Sequence, residues 1–303
     1  MPKRARSASG IAAPASPPTP TTPSPTKPAK KARRDASNAF NPPSTHFGDV
    51  PVADAIAHIT SRDERLSAVV AEAGILPRIA ECQAARAAAR ESHRAFRSLA
   101  RAIVFQQLNG AAAATIFARV VAVAAPDADP ARLSPAGILS ADEAAMRACG
   151  LSQRKLEYLR GLALAFTPAN QVEGGGGLDD ETLECASAED VTCSLVALRG
   201  LGPWTVHMFR MFYLNHADVL PVGDFGVRRG MMLLYGLSSM PGPEKMQAIA
   251  EPWAPYRTIG AMYMWRVADD AKENPKVAKG NPKVAKGNGK GKGNGEGKRE
   301  TPR

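Results

Sequence analysis

Between residues 48 and 270 the apolar side chains recur at helical spacing. In 96–108, Phe96, Leu99, Ala100, Ile103, Val104 and Leu108 fall on one face of a helix. The spacing predicts a helix there that stops near Asn109-Gly110, a C-terminal signal. A second helix is predicted from Ala111 to Ala125, ended by Pro126. Ser140-Ala141-Asp142-Glu143 has the form of a capping box with Glu143 at the third helical position, and Gly150 fits the end of that helix. Gln153 to Phe166 reads as a further helix, and Glu173 to Asp180, with Gly174–Gly177, as a loop. Glu189 to Leu198 and Pro203 to Leu214 are two more helices, separated by Arg199-Gly200-Leu201-Gly202. Convincing strand alternation with hairpin turns is absent from 48–270, so the expected fold class is all-α.

The flanks break this pattern. Residues 1–47 are Pro, Ser, Thr, Ala and Lys/Arg with few large apolar groups, and 271–303 repeat Asn-Pro-Lys-Val-Ala-Lys-Gly before a Gly/Lys/Asn stretch. Such segments bury too little surface to offset their ordering entropy, so both are expected to be disordered tails around a 48–270 domain. The charge follows the same division. The chain of 303 residues carries +10, yet 48–270 hold 21 basic and 25 acidic side chains. The basic character belongs to the tails, which points to a polyanion partner and excludes a generally basic folded domain. Lys3-Arg4-Ala5-Arg6 and the cluster from Lys27 to Arg34 read as a nuclear localisation signal served by an importin. An acid-poor, Ala/Ser/Arg-containing start also fits a mitochondrial or chloroplast transit peptide. The 271–303 composition resembles the tails of linker histones, which bind phosphate without sequence preference.

The four cysteines, at 82, 149, 185 and 193, form no C-x-x-C, which argues against a zinc or iron–sulfur site and against a disulfide framework. His46, His58, His93 and His216 have no metal-ligand spacing, and His207 reads as a surface residue. An apolar run long enough to span a bilayer is absent.

The chemistry concentrates in 189–235. Two helices joined by a Gly-x-Gly turn, with Pro203 at the first position of the second, expose backbone N–H groups at a helix N-terminus; Gly200, Gly202, Pro203 and Thr205 would form an anion site. Downstream stands Pro221-Val222-Gly223-Asp224, opening a helix whose apolar residues are Val227, Met231 and Leu234. Asp224 is therefore either a catalytic carboxylate or a plain N-cap.

At this point the chain resembles the helix–hairpin–helix glycosylase superfamily, most nearly its 3-methyladenine DNA glycosylase II group in compact form. The resemblance rests on Phe96 to Leu108, on Gly150-Leu151-Ser152-Gln153-Arg154-Lys155 and on Leu198 to Asp224, and it covers about 48–268. It implies two helical lobes, with the hairpin at 189–214. It implies that Asp224 is catalytic, that Trp204, Met208 and Trp265 line the base pocket, and that Gln107 is the wedge filling the gap left by a flipped base. A monovalent cation, Na or K, would sit on the backbone carbonyls of Val196, Leu198 and Leu201, with no other cofactor required. Members that cut the strand carry a Schiff-base Lys where this chain has Trp204, so the implied enzyme is a monofunctional, monomeric N-glycosylase acting on alkylated purines in double-stranded DNA. A cationic alkylated base would be attracted by the indole faces of Trp204 and Trp265. The competing reading is an inactive helix–hairpin–helix module that only binds DNA.

Overall fold

The computed structural model describes residues 49–87, 92–167 and 177–273, with side chains left undescribed at 83–87. The expected tails, except for 271–273, and most of the Gly174–Gly177 loop lie outside these residues. Fourteen α-helices occur among the described residues, and no extended strand. They run α1 Val52–Arg62, α2 Glu64–Ala73, α3 Pro77–Ala87, α4 Arg94–Phe105, α5 Gly110–Ala124, α6 Pro135–Ser140, α7 Glu143–Ala148, α8 Gln153–Ala165, α9 Asp180–Cys185, α10 Ala188–Val196, α11 Pro203–Phe212, α12 Phe225–Tyr235, α13 Pro243–Ala250 and α14 Arg257–Glu273. The all-α expectation holds.

Two apolar cores organise them. The first is built by α4 to α10 around Phe96, Leu99, Ile103, Leu159 and Leu195. The second joins both ends of the folded region: Ile59, Leu66 and Ile79 of α1–α3 pack with Val227, Met231, Trp253 and Met262 of the C-terminal part. Helix α11 belongs to both, since Val206 and Phe209 enter the first core and Met211 the second. The helix that follows the Gly-x-Gly turn is thus the shared wall of the two lobes. That placement follows from its sequence, which is apolar on more than one side.

Two local expectations are corrected. Helix α4 ends at Phe105, three residues before the predicted 96–108 helix does. Gln106 takes an extended ψ of 132°, and Asn109 is the N-cap of α5, its side chain accepting from Ala112 N at 2.8 Å. The Asn-Gly pair starts the next helix rather than stopping the last one. The capping box at 140–143 is also misplaced. Ser134 caps a short α6 whose last residue is Ser140, and Asp142 caps α7 by accepting from Ala145 N at 2.8 Å. Glu143 is the first residue of α7, and its carboxylate pairs with Arg160 at 2.6 Å instead.

Helices α12 and α14 pack closely along their length. An added Cβ at Gly230 would lie 2.1 Å from the carbonyl oxygen of Met264, so the two backbones cross where only hydrogen fits. Gly230→Val should therefore force the helices apart and destabilise the protein by about 3 kcal/mol or more, the range of severe core overpacking. Urea unfolding measures it; a midpoint within experimental error of wild type would show that the crossing is not tight.

Candidate active site

Asp224 sits where three elements meet. It is the N-cap of α12, 9% exposed, and its Oδ1 accepts from Val227 N at 2.9 Å. The same oxygen accepts from the indole Nε1–H of Trp265, on α14, at 2.8 Å. Its Oδ2 accepts from the indole Nε1–H of Trp204, on α11, at 2.8 Å. An ionised carboxylate offers about four acceptor positions. Three are taken here, which leaves one on Oδ2, the oxygen bonded to the indole of Trp204, a residue 46% exposed. The α12 N-terminus adds the favourable end of a helix dipole for a negative group.

The loop that delivers Asp224 is stitched to the start of α14. Thr258 N donates to Ala217 O at 3.0 Å, its hydroxyl donates to His216 O at 2.7 Å, and that hydroxyl oxygen accepts from Val219 N at 3.0 Å. Arg257 holds Asp218 through two side-chain bonds of 2.5 and 2.6 Å. Asp224 N then closes the Pro221 turn at 2.8 Å. Gly226 leaves the space Trp265 occupies, because a Cβ there would lie 2.6 Å from the indole Cδ1.

Of the residues singled out from the sequence, Asp224, Trp204 and Trp265 converge. Trp265 is half-buried, it stacks on Phe212 with centroids 5.8 Å apart, and its N–H goes to the carboxylate. Met208 is half-buried against the second core and makes no hydrogen bond to Asp224. Gln107 is exposed, in a turn beyond α4 and with a left-handed φ of 57°. His207, read as surface, is half-buried on α11, and burial and the neighbouring Arg210 push its imidazole below the ordinary value. Two residues escaped the sequence reading. Phe225, next to Asp224, is 61% exposed, and Arg78 of α3 lies over the outer face of Phe212 at 4.4 Å from the ring centroid. An aromatic at the first turn of a helix, directly after its acidic cap, was the available signal for Phe225.

The hairpin has the form an anion site needs. Gly200 has φ 94° and no room for a Cβ, which would lie 2.5 Å from the Tyr158 ring. The N-terminus of α11 has Gly202 as N-cap and no side-chain cap, unlike α12. Pro203 has no N–H, so Trp204 and Thr205 present the first backbone donors. Thr205 as a whole is only 6% exposed. For the implied cation, Val196 closes α10 and Leu198 follows in the turn, both at the carbonyl-rich end of a helix. The Leu198 oxygen already accepts from Leu201 N at 3.2 Å and keeps a second lone pair. Neutral backbone oxygens of this kind fit a singly charged ion, which would brace the turn. A cluster of three or more His, Cys, Asp or Glu fit to bind a metal is absent among the described residues.

A family model for the HhH-GPD superfamily of base excision DNA repair proteins matches residues 100–255, from α4 through the hairpin and Asp224. The chain belongs to this superfamily. As an HhH-GPD protein it is 33% identical over 180 residues to the DNA-3-methyladenine glycosylase 1 of Schizosaccharomyces pombe, spanning 59% of this chain and 74% of that one. It is 31% identical over 214 residues to a DNA-3-methyladenine glycosylase of Saccharomyces cerevisiae, spanning 57% of this chain and 66% of that one. A solved structure of the Schizosaccharomyces pombe 3-methyladenine DNA glycosylase in complex with abasic DNA is similar with a TM-score of 0.56 at 30% identity, over 70% of this chain and 95% of that one. A DNA-3-methyladenine glycosidase from Bacillus halodurans is similar with a TM-score of 0.59 at 34% identity, over 75% of this chain and 93% of that one. The family model stops before Trp265, so the third donor to Asp224 lies outside the region that it matches.

The donor set predicts a spectroscopic signature. The chain has three tryptophans, and each gives its indole N–H to a carboxylate: Trp204 and Trp265 to Asp224, Trp253 to Asp63. Asp224→Asn should shift two of the three indole resonances in a proton–nitrogen correlation spectrum and leave the third in place. A spectrum in which none moves would contradict the geometry of the site.

Proposed function

We propose that this HhH-GPD protein is a monofunctional DNA-3-methyladenine glycosylase of the group II, compact kind. It hydrolyses the N-glycosidic bond of alkylated purines, 3-methyladenine and 7-methylguanine among them, and leaves an abasic site. The observation that carries the reading is the Asp224 carboxylate, held by three N–H donors with one acceptor position left on the oxygen that an exposed indole also binds. The names of the relatives support the substrate class.

The proposed chemistry starts with a base turned out of the duplex, since its sugar bond is otherwise unreachable. N-alkylation makes the purine cationic. When the bond from C1′ to the purine nitrogen breaks, its electron pair neutralises the base, so protonation by a general acid is less necessary. Positive charge develops on the sugar, as in other glycoside hydrolyses. The negative Oδ2 stabilises that charge, and a low-dielectric surrounding increases the effect. Water then bonds to C1′ and gives up a proton, for which the carboxylate is an acceptor. Trp204 and Trp265 act through Asp224 by aiming it, and their ring faces can also attract the cationic base.

The lysine inventory supports hydrolysis without strand cleavage. Residues 48–273 contain three lysines. Lys155 donates to two backbone carbonyls, Lys272 pairs with Asp269, and Lys245 belongs to α13 rather than to the hairpin. Trp204 occupies the place of the Schiff-base amine. The backbone carbonyls of Val196, Leu198 and Leu201 would hold Na or K, and no other cofactor is invoked.

Asp224→Asn keeps a competent N-cap and should keep the fold and DNA binding. Single-turnover release of 7-methylguanine should fall at least about 100-fold, the scale of losing one preorganised electrostatic group. Borohydride should trap no protein on DNA. Near-normal release by the variant, or a trapped complex that depends on one of the three lysines, would overturn the assignment.

The tails are proposed to supply much of the non-specific attraction to duplex DNA, because 48–270 carry an excess of acidic groups. The N-terminal arm is proposed to direct a monomeric enzyme to the nucleus through an importin. Removing 1–47 and 274–303 should flatten the salt dependence of DNA binding, by about one unit of slope for each phosphate that the tails neutralise in the full chain. It should also abolish nuclear accumulation of a fluorescent fusion. An unchanged slope would show that the tails do not touch DNA. Delivery of the full chain to a mitochondrion or chloroplast would replace the nuclear signal with a transit peptide.

A further inference from the structure

The turn that carries Gln107 is poorly supported by its own backbone. After Phe105 the chain leaves the helix, and the two backbone bonds that span the turn, from Gln106 N to Ile103 O and from Leu108 N to Phe105 O, are both 3.4 Å long. Gln107 then adopts a left-handed φ that a non-glycine residue takes at a cost, and both Gln107 and Leu108 are exposed. Such a turn needs external bracing to keep one conformation.

Two side chains provide it from different directions. Lys155, in the first turn of α8, donates through Nζ to Val104 O at 2.7 Å and to Gln106 O at 2.8 Å. These carbonyls stand at the C-terminal end of α4, where intrahelical donors run out and a positive charge is favourable. Burial pulls the ammonium below the ordinary lysine value, and two carbonyl oxygens accept its protons there. From the other side Gln106 Nε2 donates to Gly200 O at 2.7 Å, across 94 residues of sequence. Gly200 is the left-handed residue of the hairpin turn, pressed against Tyr158 of α8. Helix α8 thus touches both turns, with Lys155 on one and Tyr158 on the other.

We propose that Gln106 and Lys155 are positioning residues that lock the Gln107 turn to the Gly200 turn, so that the phosphate-gripping hairpin and the wedge engage DNA as one rigid body. The proposal rests on the reading of Gln107 as wedge and of the hairpin as phosphate site. Neither residue meets the base or the sugar. Their contribution is confined to opening a paired base and holding the gap, and it disappears when the base is already unpaired.

That difference provides the test. Two duplexes carry the same 7-methylguanine, one opposite cytosine and one opposite an abasic analogue. Gln106→Met and Lys155→Met, each replacing a donor by a side chain of similar length, should lower single-turnover release from the paired duplex by about tenfold, the scale of removing one or two hydrogen bonds. Release from the unpaired duplex should change by less than about twofold, and Lys155→Arg, which keeps a charged donor, should stay near wild type on both. Equal losses on the two duplexes would mean general structural damage and overturn the positioning role. So would variants that match wild type on both. A wild-type protein that releases no base from either duplex would overturn the glycosylase reading along with this proposal.

Discussion

How closely α12 can approach α14 decides the geometry of everything around Asp224. The two helices meet at Gly230, where a single methyl group would strike the Met264 carbonyl. One residue further along α14, Trp265 reaches across to Oδ1, through a gap that Gly226 leaves open. The α12 backbone supplies Val227 N to the same oxygen. If the helices separated by the width of one carbon, the indole bond would break, and Oδ1 would keep a single partner. Two glycines, Gly230 at the helix crossing and Gly226 beside the carboxylate, thereby hold the indole bond to Oδ1.

A second aspartate shows what distinguishes this arrangement. Asp63 caps α2 by accepting from Leu66 N at 3.0 Å, and its other oxygen accepts from Trp253 Nε1 at 2.8 Å and from the Tyr235 hydroxyl. Burial and Asp63 push the Tyr235 hydroxyl far above its ordinary value, which keeps it a donor. In donors the two carboxylates are nearly alike. Trp253 is fully buried, however, whereas Trp204 is nearly half exposed beside an exposed Phe225. At Asp63 the motif ties the N-terminal helices to the C-terminal part of the chain. At Asp224 the carboxylate is itself buried, and the groups that face solvent are the Trp204 indole and the neighbouring Phe225. An N-cap aspartate gripped by indoles is therefore a structural device in one place and a candidate for catalysis in the other, and the exposed aromatic side chains beside Asp224 separate them.

The helical pattern and the hairpin were legible because they are local. The spacing of Phe96, Leu99, Ile103 and Val104, the Gly-x-Gly turn and the Pro203 start each lie within a few residues. Asp224 was legible as a cap, and the family resemblance raised it to a catalytic candidate. Its partners were less legible. Trp204 and Trp265 were expected to offer ring faces; that their N–H groups meet one carboxylate depends on contacts across 20 and 41 residues. The end of α4 differs from the expectation because Asn-Gly serves both as a stop and as a start, and the bond that Ala112 N donates to the Asn109 side-chain oxygen decides it. Arg78 could not be placed at all, since its contact with Phe212 requires α3 to fold against α11, 134 residues further along.

That last feature also bears on synthesis. The second core joins α1–α3, made first, to α12–α14, made last. On a ribosome adding about 5–20 residues per second, roughly 200 residues separate Asp63 from Trp265, so the early helices wait about 10–40 seconds for the surface that covers them. The first core, from α4 to α10, has its contacts available much sooner. Nascent chains of this protein therefore hold one lobe assembled and the other waiting with its apolar face uncovered. The carboxylate receives its last donor only when the end of the folded region emerges. Chaperone demand during translation falls on the N-terminal helices, and an incomplete polypeptide carries an unfinished site.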